Sequence, residues 1–254
     1  MSRGARRRLG IGFLAALLAL AIVPVPSVAA AAKPFTLDLA GRADFVAQTN
    51  FVQCVGASTQ MMLNMIEPGR DRTAKTQKRL QVLARAWSGP TPSGFERQGA
   101  SVSGWAAALN ILGGGPYRVV GARTLAGILH VAAKAMRDTG RPVGLLMWHG
   151  RHAWVMSGFQ ATADPATTDA FRVTRVIVED PLYPHGSSVW GKSPRPGALL
   201  SLATLGKQFV PRRTRSPWAS VNPSMARLAG MYVVVLPFIA TNGAWAKRGQ
   251  LPRR

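Results

Sequence analysis

The sequence predicts an α+β domain, with N-terminal helices packed on a C-terminal antiparallel sheet. From Cys54 to Asp138 apolar residues recur in long stretches of good helix formers, several of them at helical spacing. From Pro142 onward the pattern changes to short segments rich in Val and aromatics, bounded by Gly and Pro. Helices first and strands second is an α+β order.

The first 32 residues stand outside that domain. Arg3, Arg6, Arg7 and Arg8 make a cationic start, and Leu9 to Val23 is an apolar run. Pro24 and Pro26 then precede Ser27-Val28-Ala29-Ala30-Ala31-Ala32. Charge, apolar core and small residues in that order form a secretory signal peptide, with cleavage expected between Ala29 and Lys33. The apolar run is shorter than the ~20 residues of a bilayer span. Residues 33–254 form the expected domain, ending in a short basic tail, in a secreted or cell-envelope location.

Each element has a local cause. Cys54 to Ile66 reads as a helix carrying Ala57, Met61, Met62, Leu63, Met65 and Ile66, ended by Pro68-Gly69. Thr73 to Trp87 is amphipathic, with Leu80, Leu83, Ala84 and Trp87 on one face. Ser88 to Ala100 is a Gly/Pro/Ser-rich loop. Ser101 or Ser103 can cap a helix from Gly104 to Leu112, closed by Gly113-Gly114-Gly115. A further helix is expected from Thr124 to Asp138, with Gly140 after it. Pro142–Trp148, His152–Phe159, Phe171–Glu179 and Met231–Phe238 read as strands.

Charge and cysteine count narrow the function. The chain carries 32 Lys+Arg against 10 Asp+Glu, +22. The leader holds four of those arginines and no acid, which leaves 28 against 10, or +18, for residues 33–254. Such a surface suits anionic surroundings such as cell-wall polymer or acidic phospholipid. No zinc-ligand spacing, phosphate-cradling glycine loop or nucleic-acid module accompanies it, so nucleic acid is not the expected partner. Cys54 is the one cysteine, so no internal disulfide can form.

Cys54 begins its helix, where the dipole and free N–H groups favour the reactive thiolate. Gln48, six residues earlier, either lies in a solvated loop or supplies an amide to an oxyanion hole beside the Cys54 N–H. Among four histidines, His130 lies mid-helix, His185 follows Pro184, and His149 and His152 flank Gly150. His152 opens a strand and is the expected base, with His149 in reserve. On the next strand Arg172, Thr174, Val176, Val178 and Asp180 alternate onto one face. Asp180 therefore emerges at its buried end, either to orient an imidazole or to form a turn with Pro181.

The stretch Gln48-Thr49-Asn50-Phe51-Val52-Gln53-Cys54-Val55-Gly56-Ala57, with the apolar helix after it, resembles the nucleophile motif of family-39-like cysteine peptidases. These are papain-like enzymes related to bacteriocin-processing double-glycine peptidases. His152 to Phe159, with Gly158 six places after the histidine, is similar to the family's histidine strand. Val178-Glu179-Asp180-Pro181 is similar to its Asp-Pro block. Val55 stands where glycine is usual, and Gly56 replaces a proline.

The resemblance implies a papain-like fold, Cys54 as nucleophile, His152 as base, Asp180 as orienter and Gln48 in the oxyanion hole. It implies a secreted hydrolase of peptide or amide bonds acting through a thioester, without a cofactor. An amidase or transpeptidase on the same scaffold, or a non-catalytic cationic protein binding anionic wall polymer, are the alternatives.

Overall fold

Period-2 alternation in the central strands organises the fold. In the computed structural model, which describes residue 1 and residues 33–67, 71–215 and 217–240, odd-numbered residues of β3 (Val143–Met147) join one core. Leu146 joins the other, and Gly144 lies under the Trp105 ring, where a Cβ would stand 2.5 Å from it. Trp154 and Met156 of β4 (His152–Ala161) go to the first core, while Ala153 and Val155 go to the second. A strand buried on both faces needs cover on both. The sheet is therefore sandwiched between two sets of helices.

The first set is α1 (Cys54–Ile66), α2 (Ala74–Ala86) and α3 (Val102–Ile111). Thr73 and Ser101 cap α2 and α3 by accepting from Thr76 and Gly104 N–H groups. The opposite face is covered by α4 (Leu125–Thr139), capped by Thr124 and ended by Gly140 in the left-handed region. Its Ile128, Leu129, Ala132, Ala133 and Met136 are buried at helical spacing. The short α5 (Leu202–Gly206) adds Leu205 to that core, with Phe209 just beyond it.

The sheet is antiparallel, in the order β2–β9–β3–β4–β5–β8. The strands not yet given are β2 (Tyr117–Ala122), β5 (Val173–Glu179), β8 (Ala198–Ser201) and β9 (Tyr232–Pro237). β1 (Phe35–Asp38) pairs with the second half of β4, where β3 has ended. A ribbon of β6 (Gly186–Ser187) and β7 (Gly191–Lys192) follows β5. The single-turn helices α6 (Trp218–Val221) and α7 (Pro223–Ala226) precede β9. All these elements belong to the unit Ala32–Arg254.

The α+β class stands, with three differences from the sequence reading. β1 precedes the helices and β2 lies between α3 and α4, so helices and strands interleave. β2 is a barely buried strand after a triple glycine, which gives a weak period-2 signal. The buried face of α2 is Gln77, Leu80, Gln81 and Ala84, while Trp87 is exposed, because both glutamines hydrogen-bond neighbouring backbone. A register shift opposite Gln160–Ala161 puts Val173 in the core and leaves Arg172 and Thr174 exposed; Val176 and Val178 face inward as expected. Residues 2–32 of the expected leader, the Pro68-Gly69 stop and residues 241–254 with the expected basic tail lie outside the described residues.

Gly158 shows how tight this packing is. It sits at a register shift where β4 passes between β1 and β5, and a Cβ there would lie 2.3 Å from the Leu37 carbonyl oxygen and 2.8 Å from Ile177. Backbone cannot yield as a flexible side chain does. We predict that Gly158→Ala lowers unfolding free energy by about 1–3 kcal/mol, as overpacking does, read from urea denaturation. An unchanged midpoint would show that β1 is not held there.

Candidate active site

The start of α1 is fixed from outside the helix. Gln53, its N-cap, makes no side-chain capping bond. Gln81 of α2 instead accepts from Gly56 N–H at 2.8 Å and donates to the Val52 carbonyl at 2.9 Å. Gln77 accepts from Thr49 N–H and donates to the Ala47 carbonyl. Two buried glutamines thus pin the segment before Cys54. Gly56 permits the approach, since a Cβ there would stand 2.7 Å from the Gln77 carbonyl oxygen. Cys54 ends up 9% exposed, unpaired, and in the wall of a cleft of about 360 Å³.

His152 arrives from the sheet. β4 and β5 run antiparallel with Val155 opposite Glu179, so β5 ends beside the segment where β4 begins. Asp180, the next residue, therefore reaches His152: Nε2 lies 2.7 Å from Asp180 Oδ1, with both side chains buried. His152 also lines the Cys54 cleft. Asp180 Oδ1 accepts from Leu182 N–H as well, so one oxygen serves both the turn through Pro181 and the imidazole.

The imidazole prefers its proton. Burial is the largest influence and opposes the charge. The Asp180 hydrogen bond, then the contact and charge of Cys54, then the Asp180 charge, outweigh it and raise the His152 pKa to about 9. With Nε2 engaged by Asp180, Nδ1 is the nitrogen left for the thiol.

An aromatic lid covers the pair. Trp148 stacks on His152 at 4.1 Å between ring centroids. It does so from a strained loop in which Trp148, His149 and Gly150 all have positive φ, at 56°, 57° and 97°. A left-handed non-glycine residue costs about 1–2 kcal/mol. The loop is held by Trp148 N–H to the Gln208 carbonyl, Trp148 Nε1–H to Gln208 Oε1, and Arg213 N–H to the His149 carbonyl. His149 itself turns its Nδ1 to the Pro211 carbonyl at 2.7 Å and lines a different cleft from Cys54.

The remaining residues divide clearly. Gln48 is tied by its backbone N–H to the Pro181 carbonyl, next to Asp180. Its Nε2 donates to the Asn50 carbonyl, its Oε1 is buried without a partner, and it is not among the residues lining the Cys54 cleft. Cys54 opens its helix, so its own N–H has no intrahelical acceptor. His130 stacks on Phe171, and His185 is exposed in its loop. Trp148, Gln77 and Gln81 were missed by sequence reasoning. The glutamines carried a signal, two amides one turn apart on an otherwise apolar face. Among the described residues no cluster of His, Cys, Asp and Glu could hold a metal, and no helix is long and apolar enough to cross a membrane.

No family model, curated protein or solved structure matches the chain.

Glu179, beside Asp180, points elsewhere. It accepts from Gly197 N–H and Ser157 Oγ–H, and burial pushes its carboxyl up to about 7. The folded state thus binds this proton more tightly than the unfolded chain, so Glu179 favours folding at low pH and that contribution is lost as pH rises from about 4.5 through about 7. The fall in Tm across that window should shrink in Glu179→Gln. Equal falls in wild type and variant would show that Glu179 is ionised throughout.

Proposed function

We propose that this chain is an exported cysteine hydrolase of papain-like kind, cleaving peptide or amide bonds through Cys54, His152 and Asp180. One observation carries the reading: a buried His152–Asp180 pair at 2.7 Å whose imidazole lines the same cleft as the single cysteine, which opens a helix. Nucleophile, base and orienter are the parts acyl transfer needs. Trp148 supports it further, since a ring stacked on the imidazole excludes water from the pair.

The steps follow from the proton's position. His152 takes the thiol proton on Nδ1, giving a thiolate–imidazolium pair held by Asp180. The sulfur forms a bond to the substrate carbonyl carbon, and the oxygen becomes an anion facing the Cys54 N–H, the donor left without an acceptor at the start of α1. The C–N bond breaks as the imidazolium gives its proton to the leaving amine. His152 then removes a proton from water, which attacks the thioester. The C–S bond breaks, the acid departs, and the thiol is restored. Gln48 joins the oxyanion hole by turning its amide from the Asn50 carbonyl toward the cleft.

Three outcomes are predicted. Cys54→Ala abolishes turnover, and His152→Ala lowers kcat by about 10²–10⁴-fold, the usual worth of a general base. Folded protein should also be alkylated by iodoacetamide at about pH 6 faster than the denatured chain, because a free thiol near ~8.5 is largely protonated there. Mass spectrometry of Cys54 gives both rates. Faster labelling after denaturation marks Cys54 as a structural thiol and removes the hydrolase reading.

A further inference from the structure

A second cleft, of about 800 Å³, adjoins the first, and Gly150, Arg151 and Trp218 line both. Arg151, Arg212, Arg213 and Arg215 converge on it, with the Trp148 and Trp190 rings in its wall. No acidic residue lines it, and among the described residues none of the four arginines has a carboxylate within salt-bridge reach. Arg212 is held in place by bonds to Thr214 and to the Met225 carbonyl at 2.6 Å, and burial lowers its pKa. Four guanidinium groups gathered without a counter-charge repel one another. Such an arrangement is stabilised by an anion from outside, and the planar fork suits carboxylates.

We propose that this cleft binds acidic residues on the leaving-amine side of a peptide substrate, an inference that rests on the hydrolase reading. Chemistry sets the side. The imidazolium delivers its proton to the leaving nitrogen, so the chain beyond the cleaved bond runs past His152. Trp148, stacked on His152, lines this second cleft, and Arg151, next to His152 in sequence, lines both. The composition favours a peptide over a uniform polyanion. Parallel Trp148 and Trp190 rings, 6.3 Å apart, offer apolar faces that regularly charged polymer would not use. A short segment with both carboxylates and apolar groups uses both walls.

The test uses the full chain carrying Cys54→Ala, which binds without cleaving. Acetylated peptides are compared that differ only in having Asp-Glu-Asp or Asn-Gln-Asn after the central bond, with a third carrying Asp-Glu-Asp before it. Binding is read from tryptophan fluorescence. The first peptide should bind about tenfold more tightly than its amide counterpart, the worth of one charge-assisted bond, and the margin should narrow in high salt. Arg213→Gln with Arg215→Gln, both exposed, should shrink that margin without touching the core. Equal binding of the first two peptides, a preference for the third, a margin unmoved by the arginine substitutions, or polyphosphate displacing the peptide at equal affinity would each overturn the proposal. Wild-type turnover separates the two readings. If neither peptide is cleaved while the preference persists, the hydrolase reading fails and an acidic-peptide cleft remains. If both are cleaved alike and bound alike, the cleft assignment fails and the hydrolase reading stands.

Discussion

A charged imidazole is costly to bury without a partner, and the hydrogen bond to Asp180 supplies one for His152. The two residues are far apart in sequence, and burying either in charged form without the other would carry a large desolvation penalty. Their meeting depends on one register, Val155 opposite Glu179, and a slip of one residue would turn Asp180 to the other face. The register in turn depends on packing. Val176 and Val178 must reach one core while Ala153 and Val155 reach the other. Helices on both faces therefore hold the pair together at a distance.

The site also contains stored strain. Two consecutive non-glycine residues in the left-handed region are unfavourable by themselves, and the segment around Gln208 to Arg213 offsets that cost with side-chain and backbone hydrogen bonds. That segment comes from the far end of the chain, between α5 and α6. The ring covering His152 is thus positioned from one side by β3 and from the other by a loop whose next arginines line the cationic cleft. The bonds that hold the ring and most of the cleft's arginines thus come from one segment of backbone.

Much of this was legible in the sequence where local chemistry decides. Cys54–Ile66 has the predicted bounds, and Thr124, Gly140 and Ser101 punctuate helices by mechanisms that operate within a few residues. Alternation in β5 holds near its Asp180 end, where Val176 and Val178 share one core, despite the irregularity near Val173. What escaped is what depends on distant partners. Gln77 and Gln81 gain their place only from the loop they bind. Positive φ at Trp148 and His149 has no sequence signature, since glycine is the usual marker. Spacing suggested Gln48 beside Cys54, but the direction of its amide is set by the Asn50 carbonyl, which spacing does not show.

The place of β9 in the sheet has a consequence for assembly. It is the last strand described, yet it lies between β2 and β3 rather than at an edge. Val234 pairs with Val120 on one side and Leu145 on the other, contacts that close loops of roughly 90 to 115 residues. Such late, long-range closure makes for slow folding. Until Tyr232–Pro237 has been made, β2 has no partner and β3 has an open edge. A chain built this way offers unpaired strand edges to other unfolded copies during synthesis, which is the state in which separate molecules can exchange strands.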